Sequence, residues 1–194
     1  MTDKEIIGAL ATKQNFTFDD LLDLVRVLRG EHGCPWDIEQ TNKSIRNSII
    51  DETYEFIEGL DTDNDELMCE ELGDVLFQVV FHAAIKAENN VFDFNDIVNM
   101  LCKKMITRHP HVFGEIKVDN STQVLSNWEK IKSDEKQRKT PYEQLDSVSK
   151  ALPSLMRSAK LQSKAAKYGL TENYDKNHYL DELQECILKI KAGG

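Results

Sequence analysis

The segment from Glu66 to Asn89 limits the possible folds more than any other part of the chain. Met68, Leu72, Val75, Leu76, Val79 and Ala83 recur at helical spacing on one side, and Phe77, Phe81 and Ile85 cover much of another. The spacing predicts a helix, and a helix that is apolar on most sides has to be buried. One neighbouring helix cannot cover it. The segment therefore demands an all-α bundle, and its several apolar sides predict a homodimer or higher homo-oligomer.

The rest of the chain supplies matching helices. One is expected from Thr17, a good N-cap, with Phe18, Leu21, Leu22, Val25 and Leu28 on one side and Gly30 as its stop. A loop follows over residues 31–40. A second helix is expected from Thr41 to Leu60, with Ile45, Ile49, Thr53, Phe56 and Leu60 as its stripe, and the Asp61–Asp65 run turns it into the apolar helix. A fourth, capped by Asp93, carries Ile97, Leu101 and Met105 and stops before Pro110. A fifth spans Ser121 to Lys139, with Val124, Leu125, Trp128 and Ile131 on one side. Beyond Pro141 the character changes: Pro153 can open a helix that Gly169 closes, and a last helix covers Tyr179 to Lys191. No segment carries a strand pattern. The division read from this pattern is a lead over 1–16, a helical catalytic unit over 17–140, and a tail over 141–194.

Charge narrows the function. The net charge of the 194-residue chain is −10, without a long Lys/Arg stripe, which argues against nucleic acid as a partner. A small polyphosphate stays open to an acidic protein if metal ions lie between its carboxylates and the phosphates. The four cysteines, Cys34, Cys69, Cys102 and Cys186, show neither C-x-x-C nor zinc-finger spacing, so reduced thiols in a cytoplasmic protein are expected. No signal-peptide pattern and no apolar run of membrane-spanning length are present, so no membrane partner is expected.

The chemically odd residues are acids beside and inside the apolar stripes. Glu52 and Glu55 are three apart on the second helix, and Glu71 and Asp74 are three apart on the third. A short turn joins these helices, so the two pairs can face each other. Four carboxylates converging in a low-dielectric groove repel, and a divalent metal resolves that repulsion. Oxygen-only ligands favour Mg²⁺, with Mn²⁺ as a substitute. Acids three apart are also common on solvated helix faces. Gly73, between Glu71 and Asp74, favours the metal reading, because a mid-helix glycine is unfavourable by about 1 kcal/mol against alanine unless close approach requires it.

On the fourth helix Lys104 and Arg108 share a face and suit a clamp on phosphate oxygens; cations near a helix C-terminus are the commoner explanation of such a pair. Arg46 is a weaker candidate for the same work. Trp36 can stack on a base or plug the bundle end, the plug being favoured, and His82 reads as a satisfied core histidine.

Together these segments resemble the MazG family of nucleoside triphosphate pyrophosphohydrolases. The likeness is carried by Leu28-Arg29, His32-Gly33-Cys34-Pro35-Trp36-Asp37, Gln40-Thr41, the stretch Asp51 to Glu55, the stretch Glu70 to Phe81, Arg108 to Gly114, and Asn127-Trp128-Glu129. It covers about Phe16 to Lys132 in one register. The resemblance implies a dimeric helical fold and a site where Glu52, Glu55, Glu71 and Asp74 bind Mg²⁺. Lys104 and Arg108 fall on the family's phosphate-binding Lys-x-x-x-Arg. Asp51 stands where the family has Glu. The implied reaction is Mg²⁺-dependent cleavage of nucleoside triphosphates to monophosphate and pyrophosphate, in cleansing or control of the nucleotide pool. Either Glu55 or Asp51 would act as base. Leu145 to Leu170 is similar to the start of a second, truncated or degenerate unit.

Two other readings compete with this one. A di-iron carboxylate site needs Glu-x-x-His, which none of the five histidines satisfies. A helical dimerisation or regulatory module that kept the fold and lost catalysis is the alternative that the residues leave standing.

Overall fold

A computed structural model describes residues 2–136, 140–170 and 176–193. Among them the secondary structure is entirely helical. The elements are α1 (Asp3–Thr12), α2 (Phe18–Leu28), α3 (Pro35–Glu39), α4 (Ser48–Asp61), α5 (Asp65–Glu88), α6 (Phe94–Arg108), α7 (Pro110–Phe113), α8 (Ser121–Glu135), α9 (Pro141–Asp146), α10 (Ser154–Lys167) and α11 (Lys176–Gly193). The chain divides into two compact units, residues 1–105 and 106–194.

In the first unit α5 is the central element, packed most extensively against α4 and also against α2. Val25, Ile45, Val80, Phe81 and Ile85 form the buried core, with Leu21, Leu22, Leu24, Phe77, Ala84 and Phe94 around them. Burying side chains of this size contributes about 1.5–3 kcal/mol each, which is what holds α2 on α5.

The α4–α5 hairpin is closed by local backbone chemistry. Asp63 takes a positive φ of 50°, Asn64 N–H donates to the Gly59 carbonyl at 2.9 Å, and Asp63 N–H donates to Leu60 at 3.3 Å. This is a Schellman ending with Asp in place of glycine, a substitution its short polar side chain tolerates. Asn64 then caps α5, its side chain accepting from Leu67 N–H at 3.2 Å. One residue thus ends one helix and starts the next, which makes the hairpin tight and antiparallel. Gly59 permits the close approach: a Cβ there would lie 3.0 Å from Met68. The turn after α5 repeats the motif with Asn90 at φ 54°.

Several expectations needed correction. The second helix starts at Ser48, not Thr41. Thr41 and Ser44 exchange side chain–backbone bonds, Ser44 Oγ accepting from Thr41 N–H at 2.9 Å and Thr41 Oγ1 from Ser44 N–H at 3.1 Å. This reciprocal pair caps a single helical turn, closed by Ile45 N–H donating to the Thr41 carbonyl at 3.3 Å, and the regular helix begins only at Ser48. The lead over 1–16 contains α1, opened by a Thr2/Glu5 capping box. The 31–40 loop contains α3, with Pro35 in its first turn. Gly33 is required just before it, where a Cβ would fall 2.1 Å from the Leu28 carbonyl oxygen. Trp36 is 63% exposed and plugs nothing within the chain. Helix α8 ends at Glu135; the expected end at Lys139 lies outside the described residues.

In the second unit side-chain bonds tie α8, α9 and α10 together. Gln144 donates to Ser133 Oγ at 2.9 Å and accepts from Lys164 at 3.3 Å. The four cysteines are free thiols, and no described helix is long and apolar enough to cross a membrane.

Candidate metal centre

The hairpin sets the acids face to face. Glu52 and Glu55 lie on one side of α4, Glu71 on the facing side of α5, and one carboxylate oxygen from each lies within 4.8 Å of the others. Glu71 is the buried member at 5% exposure, Glu52 is half-buried, and Glu55 is exposed. Their environment is uniformly hostile to negative charge. Burial pushes the Glu71 carboxyl above its ordinary value, with Glu55, Asp74, Glu70 and Glu52 adding repulsion in that order. Glu52 is raised likewise, by burial first and then by Asp74, Glu55 and Asp51. Among the described residues, no Lys or Arg pairs with Glu52, Glu55, Glu71 or Asp74.

One atom sharpens this. Glu71 Oε2 is sealed from solvent and has no hydrogen-bond partner. Buried polar atoms in folded proteins are almost always partnered, and an orphaned one calls for an explanation such as an ion. The oxygen-only donor set suits a hard divalent cation. The residues present therefore fit a Mg²⁺-type group. Asp74 is exposed and lies outside the three-residue cluster, although its charge acts on both Glu52 and Glu71. Gly73 needs a different explanation from the one its sequence context suggests: a Cβ there would meet nothing within 4 Å, so no neighbouring protein atom demands glycine.

The basic residues are placed differently. Lys104 is exposed on α6. Arg108 is 6% exposed; its Nε and Nη2 donate to Glu135 Oε2 at 3.0 and 2.7 Å, and its guanidinium lies 5.2 Å from the Trp128 ring centroid. Arg46 is exposed. His82 is a satisfied core histidine, as expected: Asn42 Nδ2 lies 2.8 Å from its Nδ1 and donates to its carbonyl at 3.0 Å. Burial lowers its basicity.

Two polar residues stand out that sequence reasoning passed over. Arg29 is buried and donates to both carboxylate oxygens of Glu88, at 2.5 and 2.7 Å, and to the Asp37 and Gln40 carbonyls. It fastens the 31–40 loop to α5. Gln78 is 9% exposed, and its Oε1 is a second orphan. Its position seven residues after Glu71, inside an apolar helix, was a visible signal.

Residues 40–113 match the family model described as the MazG nucleotide pyrophosphohydrolase domain. The chain is similar to the nucleoside triphosphate pyrophosphohydrolase of Escherichia coli K12, 43% identical over 152 residues, which is 78% of this chain and 58% of that protein. It is 37% identical to the nucleoside triphosphate pyrophosphohydrolase/pyrophosphatase MazG of Thermotoga maritima over 174 residues, 90% of this chain and 66% of that protein. It is 46% identical to the uncharacterized protein YabN of Bacillus subtilis over 145 residues, 75% of this chain and 29% of that protein. The chain thus matches between 29% and 66% of the length of these relatives.

Proposed function

Since the chain belongs to the MazG family, we propose that it hydrolyses nucleoside triphosphates to the monophosphate and pyrophosphate, with Mg²⁺ at Glu52, Glu55, Glu71 and Asp74. The observation that carries this reading is the uncompensated carboxylate cluster with the orphaned Glu71 oxygen at its buried end. Such a cluster is unfavourable for the fold and useful for holding a divalent ion.

When bound, Mg²⁺ would supply charge neutralisation for the phosphate chain and acidify a coordinated water. The chain's own residues do the remainder. Glu52, Glu55 and Glu71, with Asp74, hold the ion. Glu55, the exposed carboxylate of the cluster, accepts a proton from the attacking water, with Asp51 the other candidate for that role. The water oxygen bonds to the α- or the β-phosphorus, the P–O bond bridging them breaks, and the departing group, pyrophosphate or nucleoside monophosphate respectively, takes the electron pair. Lys104 and Arg108 offset phosphate charge; Arg108 would exchange its Glu135 partner for a phosphate oxygen. In this reading residues 17–140 are the catalytic unit, and 141–194 hold a linker and a segment similar to the start of a second unit.

We also propose a homodimer. Ile50, Tyr54 and Ile57 on α4, Leu72 and Leu76 on α5, and Val98 and Leu101 on α6 are all more than a third exposed. Exposed apolar side chains in such number on the helices of one unit are characteristic of a subunit interface. Light scattering at micromolar concentration should give twice the mass of one chain, and a monomer would reject this. The activity is tested by incubating the protein with mixed triphosphates and Mg²⁺ and measuring pyrophosphate. Release that EDTA abolishes supports the reading; no release from any triphosphate rejects it.

A further inference from the structure

The α5 helix carries a polar line through its apolar surface. Glu71, Asp74, Gln78 and His82 follow at intervals of three, four and four. At 100° per residue, Gln78 lies within about 20° of Glu71 around the axis and about 10 Å further along it. The members of this line are not equivalent. Asp74 is exposed and reaches water. His82 is bonded to Asn42. Glu71 and Gln78 are the two that are buried and carry an orphaned oxygen.

The Glu71 orphan is explained by a cation. The Gln78 orphan is not, because an amide oxygen without a nearby donor calls for an N–H or O–H rather than for an ion already served by four carboxylates. A core position filled by an apolar side chain would avoid the problem altogether, so a glutamine here needs a partner from outside the described fold. The side chain keeps 9% exposure. The terminal torsion of glutamine is soft, so the amide can turn toward an arriving group.

We propose that Gln78 is a specificity-determining residue whose Oε1 accepts a hydrogen bond from the nucleoside of the bound triphosphate. This rests on the functional reading above. A phosphate chain held at Glu71 carries its nucleoside one to two helical turns away. Toward the 62–64 turn the hairpin opens to solvent, and in the other direction the next buried, unpartnered polar group is Gln78. The donor is either a sugar hydroxyl or a base N–H, and both present the same chemistry to an amide oxygen. A site built around such a bond discriminates because a substrate lacking the donor leaves the buried acceptor unpaired.

The test is the Gln78→Met substitution, which keeps length and removes the acceptor. Steady-state kinetics are measured with the four ribonucleoside triphosphates and their 2′-deoxy and 3′-deoxy counterparts. Inorganic tripolyphosphate, which has no nucleoside, is run as a competitive inhibitor. The expected result is a loss in kcat/KM of about tenfold or more for the preferred triphosphate, with Mn²⁺ affinity and tripolyphosphate inhibition unchanged. If the donor is a sugar hydroxyl, the corresponding deoxy substrate shows the loss in wild type and no further loss in the variant. If it is a base N–H, the sugar analogues fall in parallel in both proteins and the ranking of bases flattens in the variant. Unchanged kcat/KM with a lowered melting temperature would assign Oε1 to an internal water and overturn the inference. So would tripolyphosphate inhibition weakened as much as kcat/KM. Should the Met variant not fold, Gln78→Asn, which keeps the amide and withdraws it by one methylene, carries the same comparison. Wild-type protein inactive on every triphosphate would reject the functional reading itself, and this inference with it.

Discussion

Two charge clusters in the first unit follow opposite rules. Around Arg29, a buried guanidinium is matched on every side: two oxygens of Glu88, two backbone carbonyls, and the face of Phe81 at 5.1 Å. Around Glu71, a buried carboxylate is matched by nothing and crowded by acids. Both involve α5: Glu71 lies on it, and Arg29, at the C-terminal end of α2, reaches Glu88 and Phe81 on it. The Arg29 cluster closes on itself, as structural polar networks do. The Glu71 cluster leaves a buried carboxylate oxygen without a partner. Burial alone does not tell a structural charge from a functional one; the state of its partners does.

The largest break in that comparison should come from Glu71→Gln. Removing the charge at constant shape should reduce pyrophosphate release to background. It should also raise the melting temperature in EDTA, because an unbalanced buried charge is gone. Mg²⁺ should then stabilise the wild type more than the variant. Activity retained, with equal melting temperatures in EDTA, would return Glu71 to the structural class.

Next in size is Arg108→Ala, which tests a residue with features of both classes. It is matched by Glu135 and Trp128, yet proposed as a phosphate clamp. The expected loss in kcat/KM is on the order of a hundredfold, with Mn²⁺ affinity intact. A collapse of metal affinity, or of stability alone, would reject the clamp.

Arg29→Ala should act on stability and not on chemistry. Two carbonyls and Glu88 lose their donor, at about 2–3 kcal/mol in denaturant unfolding. Glu88→Ala should be milder, since Glu88 is 45% exposed. Equal effects would mean the carbonyl bonds contribute little.

A smaller effect is expected from pH. Glu52 and Glu71 both titrate above the ordinary 4.5 in the folded protein. Such a group binds its proton more tightly folded than unfolded, so its protonation favours the fold. Metal-free stability contributed this way falls as pH rises from about 4.5 through the folded values. The wild type should therefore become less stable than Glu71→Gln in EDTA as pH climbs through that window. A difference that stays constant with pH would sink this account.

The smallest effect belongs to a compensated surface feature. Thr17 caps α2 reciprocally with Asp20, and Thr17→Ala should lower stability by about 1 kcal/mol without touching activity. Asp20 itself is held at about 2, chiefly by its hydrogen bond to Lys13. Its contribution is present above the unfolded value of 3.8 and is lost as pH falls through about 2.

Much of this was legible in the chain. The apolar periodicity of 66–89, Thr17 as a cap and Pro110 as a break are local facts, set by neighbours within a turn or two, and the helices appear where they dictate. The acids at 52, 55, 71 and 74 were legible as pairs because i, i+3 spacing fixes a shared helix face. Other features had to wait for tertiary structure. The regular part of α4 begins at Ser48 although Thr41 and Ser44 cap a turn ahead of it, an interruption that apolar periodicity does not register. Gly73 invited a steric explanation, and the close approach lies instead at Gly59, where the hairpin folds back onto Met68. Composition alone could not separate Arg29 from Arg46, or Gln78 from any surface glutamine. What a polar group does depends on whether its partners arrive from distant parts of the chain. Sequence fixes which residues share a helix face; only the folded structure decides which buried oxygen is left without a donor.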